Sequence, residues 1–198
     1  MAILTDNVVR ETCSQNHRPM NKILAIFVLV IVNASALAGD FTLDPVTLSI
    51  PSGFGAPIQQ QQYGATIVGF SKPRTDSRAN TLLQISLYDF GPQLAGLKDS
   101  ERATAAVKYL LDFVGGVERR RANFKRTEPT PLILSGAPAA KLQWTGLLEG
   151  SETVGVMYCF IVGTKVISFH TQDLGSSPTA AMNEAISAFE AVKLGKKD

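Results

Sequence analysis

The chain has 198 residues, 45% of them hydrophobic and 18% charged, which is enough apolar bulk for an ordinary core and too much for a disordered segment. Its 19 Lys and Arg against 17 Asp and Glu leave a net charge of +2, far from the basic excess that displaces counterions on a nucleic acid. With only two cysteines, Cys13 and Cys159, a disulfide-stapled scaffold is excluded.

The first element is a leader. Lys22 precedes ten apolar residues, Ile23 to Val32, and Ala36-Leu37-Ala38 follows with the small-x-small pattern that a signal peptidase reads. The run falls short of the ~20 apolar residues needed to cross a bilayer. Residues 1–38 are therefore read as an upstream extension and a signal peptide cleaved after Ala38. Translation from Met20 gives the compact start Met20-Asn21-Lys22, and translation from Met1 adds nineteen residues without apolar periodicity. Asn33 and Ser35 interrupt the run where an uncleaved anchor would continue, and Gly39-Asp40 stands where a lipoprotein needs cysteine. The expected product is periplasmic or secreted, with no membrane span after cleavage. It is one domain over residues 39–198, with 16 Lys and Arg against 15 Asp and Glu and with Cys159 as its single cysteine.

Thr47 to Ile50 is a short predicted strand stopped by Pro51-Ser52-Gly53, and Gln59 to Gln62 is a polar patch expected to be a solvated loop. Ala65 to Phe70 is the next strand, followed by a turn over Lys72-Pro73 and Asp76-Ser77. Thr81 to Tyr88 alternates around Leu83, Ile85 and Leu87. Then Ala103, Val107, Leu110, Val114 and Val117 recur at helical spacing, with Asp99, Ser100 and Glu101 at the start and Gly115-Gly116 expected to weaken or end the helix. Glu128-Pro129-Thr130-Pro131 is a firm break.

The second half is predicted as a meander. Its strands are Leu132 to Leu134, Ala139 to Leu148, Thr153 to Val162 and Lys165 to Gln172, joined at Gly136, Glu149-Gly150-Ser151-Glu152 and Gly163-Thr164. Ser177-Pro178 is expected to open a last helix, with Met182, Ala185, Ile186, Phe189 and Val192 as its apolar stripe and Gly195-Lys196-Lys197 closing the chain. A two-residue turn at Gly163-Thr164 sets Val162 opposite Lys165, Phe160 opposite Ile167 and Tyr158 opposite Phe169, which makes one dry face. Met157, Cys159 and Ile161 fall on the other, mixed face. For Leu142 and Trp144 to share the dry face, a one-residue slip is expected near Gly150.

At this point the chain resembles the PsbP-like superfamily, including DcrB-like exported bacterial proteins. The matching residues are Leu48-Ser49-Ile50-Pro51-Ser52-Gly53-Phe54, then Gly136-Ala137-Pro138-Ala139 before a strand, then Gly163-Thr164-Lys165-Val166-Ile167-Ser168-Phe169. The resemblance spans most of residues 40–194. It implies an α+β fold, an antiparallel meander with helices packed on it in an α/β/α sandwich, and a role in protein association rather than catalysis. These are fold-shaping turns and strands, so little function transfers with them.

Catalytic signatures are sparse. Gly53-Phe54-Gly55 runs on to Ala56-Pro57-Ile58, without the third glycine or helix of a phosphate cradle, and no Gly-x-Ser-x-Gly elbow occurs. His170 with Asp173 is an incomplete metal site. No metal, cofactor or catalytic residue is therefore assigned. The expected role is an exported non-enzymatic module that binds a protein or envelope component. The alternative is a small cell-envelope enzyme in which Cys159 and His170, diagonal neighbours on one sheet face, form a dyad. For the binding role, the candidate residues are Arg119, Arg120, Arg121, Phe124, Lys125 and Arg126, a basic cluster with one aromatic that suits an acidic partner. Its plainer alternative is a solvated helix end.

Overall fold

In the computed structural model, residues 39–76 and 79–195 are described. The leader, both candidate start sites, Cys13, the Ala38 cleavage site, Ser77 of the first turn and Lys196-Lys197 lie outside them. Chain order is β1 (Gly39–Leu43), β2 (Val46–Ile50), β3 (Ile58–Gln62), β4 (Ala65–Pro73), β5 (Asn80–Asp89), α1 (Pro92–Ala95), α2 (Asp99–Glu118), β6 (Ala122–Arg126), β7 (Thr130–Leu134), β8 (Ala137–Leu148), β9 (Ser151–Val162), β10 (Lys165–Leu174), α3 (Ala180–Glu190) and β11 (Lys193–Leu194).

The long strands form one antiparallel sheet in the order β3-β4-β5-β10-β9-β8-β6, with β7 pairing the other half of β8. A second sheet, β1-β2-β11, packs with α3 on one face of the large sheet. That layer encloses Val46, Leu48, Ile85, Tyr158, Phe160, Phe169 and Phe189. Helix α2 covers part of the opposite face and buries Leu110 and Val114 against Leu142, Trp144, Met157, Cys159 and Ile161. The result is the α/β/α layering of an α+β fold, in which each layer of helix removes apolar sheet surface from water.

The Gly163-Thr164 hairpin has the expected register, pairing Phe160 with Ile167 and Tyr158 with Phe169. The slip near Gly150 is absent. Glu149 and Gly150 both take positive φ, 51° and 81°, the geometry of a two-residue primed turn. Leu148 thus pairs Ser151, and the ladder runs unbroken to Ala139 opposite Phe160. Leu142 and Trp144 consequently lie with Met157 and Cys159, on a face that is dry because α2 covers it. Both faces of β9 are core.

Four further local expectations change. Gln59 to Gln62 is not a loop but the exposed edge strand β3, paired to β4 through Gln60 opposite Ile67. Helix α2 continues through Gly115-Gly116 to Glu118, because sheet packing on its buried stripe outweighs their poor helix propensity. That stripe is centred on Ala106, Leu110 and Val114, with Ala103, Val107 and Val117 only partly buried at its margins. The last helix starts after Pro178: Thr179 is its N-cap, and its Oγ1 accepts from the Met182 amide at 3.2 Å.

Arg102 is buried on α2 and donates to the Leu97, Leu94 and Gly163 carbonyls at 3.0, 3.2 and 3.1 Å. It thereby ties the helix start to the β9–β10 turn and satisfies carbonyls at the end of α1.

Candidate functional site

Helix α2 crosses β8 and β9 and leaves β4 and β5 open, so its C-terminal half forms one wall of a groove of about 550 Å³. The opposite wall is Gln62, Tyr63 and Ile67 from β3, β4 and their turn. Tyr88 and Phe113 stack at 5.2 Å between β5 and α2 and close one side. The floor comes from β5 and β10, whose register sets Ser86 beside Ser168, Gln84 beside His170 and Leu82 beside Gln172. An apolar sheet face therefore carries a polar island where the helix cover stops. Gln84 Nε2 donates to Ser86 Oγ at 3.1 Å.

The basic cluster does not act as one unit. Arg119 and Arg120 are exposed at the groove mouth, just past the end of α2. Arg121 folds back: its Nη1 donates to the Val117 carbonyl at 3.1 Å and its Nη2 to Gln172 Oε1 at 2.6 Å. Its guanidinium carbon lies 4.3 Å from the Trp144 ring centre. Burial, then Arg120, presses the Arg121 guanidinium below its ordinary value. Residues 122–126 are not a solvated helix end but strand β6, in which Phe124 stacks on Trp144 at 5.9 Å. Lys125 lines a separate, smaller groove with Asn123 and Glu152. Arg126 faces solvent near Glu128, 4.0 Å away. Of the six candidates, the fold brings Arg119, Arg120 and Arg121 to the groove, uses Phe124 as packing and turns Lys125 elsewhere.

Three buried side-chain nitrogens near the Trp144 ring find no protein partner: Arg121 Nε, Trp144 Nε1 and His170 Nε2. Trp144 and His170 have ring centres 5.7 Å apart. An unmade buried hydrogen bond costs about 1–3 kcal/mol, so polar desolvation is concentrated at this end of the groove. Burial first, and Arg121 second, hold His170 down to about 3, which keeps the imidazole neutral near pH 7.

Cys159 and His170 do lie on one face, but Cys159 pairs Ser168 and His170 pairs Met157. Cys159 is 0% exposed, burial pushes its thiol up, and it does not line the groove. A thiolate nucleophile needs the opposite shift and access. Cys159→Ala should therefore cost about 1 kcal/mol in urea unfolding, as loss of one packed atom, and native Cys159 should resist thiol reagents at pH 7. Rapid labelling of the folded protein would contradict that burial. Asp173 faces away from His170. It accepts from Arg74 Nη1 at 2.8 Å and Thr81 Oγ1 at 2.9 Å and also bonds Thr179, which holds the start of α3. Among the described residues, no group of three or more His, Cys, Asp or Glu side chains is placed to hold a metal ion.

No protein-family model and no curated protein sequence matches the chain. Its described structure is similar to the solution structure of cyanobacterial PsbP (CyanoP) from Synechocystis sp. PCC 6803, with TM-score 0.58 and 12% identity over 84% of this chain and 98% of that one. It is also similar to the crystal structure of LpqN, involved in cell envelope biogenesis of Mycobacterium tuberculosis, with TM-score 0.53 and 12% identity over 76% and 83% of the two chains. At such identity the likeness is one of fold, and the fold of this chain is that of the PsbP-like proteins.

Proposed function

We propose that this chain is an exported, non-enzymatic binding module that engages a protein or envelope component through the groove at the end of α2. The observation that carries the reading is the convergence of Arg119 and Arg120 on the mouth of a groove whose floor is neutral and hydrogen-bonding. In a chain with almost balanced charge, this is where local potential departs from the average and steers an acidic partner. The leader of residues 1–38 supports export. Among the described residues, no helix is long and apolar enough to cross a membrane. LpqN, with the same fold, is involved in cell envelope biogenesis of Mycobacterium tuberculosis, which is in keeping with such a role here.

The test separates docking from folding. Arg119 and Arg120 are exposed, so the R119S/R120S variant should melt within about 0.5 kcal/mol of wild type. Envelope material held on the immobilised exported protein at low salt and released at high salt should be lost from this variant. Equal retention by both proteins would remove the groove mouth from the reading. Arg121 is excluded from the variant because its guanidinium packs over Trp144 and its loss would confuse stability with binding.

A further inference from the structure

We infer that the groove is a small-molecule site for an acidic sugar, a one-sugar-sized body of hydroxyl groups carrying a single carboxylate or phosphate. The inference rests on the groove-binding reading above and names the chemistry of its occupant.

Three features select that class. The mouth offers two exposed guanidinium groups, Arg119 and Arg120, which pair oxyanions in bidentate fashion. The floor offers neutral groups that both donate and accept: Ser86, Ser168, Gln84 and Gln172, with a neutral His170 among them. Gln84 and Ser86 bond each other and Gln172 accepts from Arg121, but an alkyl chain laid on this floor would leave Ser168 and the remaining donors and acceptors of these groups unused, whereas hydroxyls satisfy them. The wall offers the stacked pair Tyr88 and Phe113, whose ring carbons supply apolar contact for the C–H groups of a sugar ring. About 550 Å³ lies within the range of small-ligand pockets and is far too small for a folded partner to enter. The single carboxylate on the lining, Asp112, sits on α2 one helical turn before Gly116 and leaves the arginines in excess. Together the groups place charge recognition outside and hydroxyl recognition inside.

Trp144 is the only tryptophan of the chain and touches both Arg121 and His170, so its fluorescence reports events in the groove. The exported protein should be titrated at low salt with glucuronate and with glucose 1-phosphate, and in parallel with glucose, acetate and inorganic phosphate. Saturable binding of either acidic sugar, at least about tenfold tighter than all three simpler probes, is the expected result, since each lost hydrogen bond or ion pair is worth about that factor. The tighter of the two identifies the oxyanion. R119S/R120S should weaken it about tenfold or more and abolish its salt dependence, and Ser86→Ala should weaken it several-fold without that change in salt dependence. Acetate or inorganic phosphate equalling the acidic sugars would overturn the inference in favour of a plain anion patch, and glucose equalling them would overturn the role of charge. Envelope material retained through Arg119 and Arg120 while neither acidic sugar binds would overturn this inference and leave the docking role standing.

Discussion

Gly155→Ala should destabilise the fold by about 3 kcal/mol, a large effect for one added methyl group. Gly155 pairs directly with Trp144 across β8 and β9. A Cβ built on it would meet the indole Cε2 and Cζ2 at 2.2 Å and Nε1 at 2.5 Å. The ring cannot slide away freely, because it is 1% exposed, carries Arg121 at 4.3 Å and stacks on Phe124 at 5.9 Å. The gain from replacing glycine in a strand, about 0.5–1 kcal/mol, opposes this only in part. Urea unfolding followed by circular dichroism gives the size. A second measurement gives the cause: in the Trp144→Leu background, Gly155→Ala should cost little, which is a strong coupling between neighbours. A full cost in both backgrounds would place the strain elsewhere than at the indole.

The pair also shows where sequence reading reaches and where it stops. Strand β5 announces itself because Leu83, Ile85 and Leu87 alternate with Gln84 and Ser86, β9 and β10 because β-favouring runs flank the Gly163-Thr164 turn, and α2 because Leu110 and Val114 repeat at helical spacing. Strand β3 does not, since four glutamines have no alternation and pairing with β4 alone makes them a strand. Strand β6 was hidden for a similar reason: its residues read as charge, and their ladder lies on β8. The expected slip at Gly150 came from assuming one dry face, when α2 makes the second face a core as well. The arginine cluster was visible as charge, but its division was not, because only the register shows Arg121 reaching Gln172. The groove floor did leave a trace. Gln84 and Ser86 on β5 and Ser168, His170 and Gln172 on β10 are polar at every second position, while Leu83, Ile85 and Leu87 and then Ile167 and Phe169 occupy the other face. Two such strands paired side by side mark a polar strip on a buried sheet, and that signal was available before the fold. Gly155 left none, since its role exists only once Trp144 is set against it.

Stability should fall as pH drops from about 6.5 to about 3, and His170→Gln should flatten much of that fall. The folded imidazole is held down to about 3, with burial as the larger cause and the Arg121 guanidinium as the smaller, whereas an unfolded histidine titrates near 6.5. Between these values the unfolded chain binds a proton that the native one does not, so acid favours unfolding by about 1.4 kcal/mol per pH unit. By pH 4 the difference reaches about 3 kcal/mol. Above pH 6.5 neither state is protonated at this group and the slope vanishes; below 3 both are, and it vanishes again. The carboxylates of Asp89 and Glu190, each held low by hydrogen bonds in the folded state, add their own loss as pH falls through the carboxylate range. They do so equally in both proteins, and so they cancel in the difference. The groups around His170 preserve the sign: Arg121 from the end of α2 opposes a second positive charge, and Asp112 is exposed on α2. Glutamine keeps a neutral hydrogen-bonding side chain at this position but has nothing to titrate. Urea midpoints of wild type and His170→Gln from pH 7.5 to 4 should therefore converge at the upper end and separate steadily below about 6.5. Parallel curves would mean that His170 takes up its proton in the folded protein, and that Arg121 has moved away from the ring to admit it.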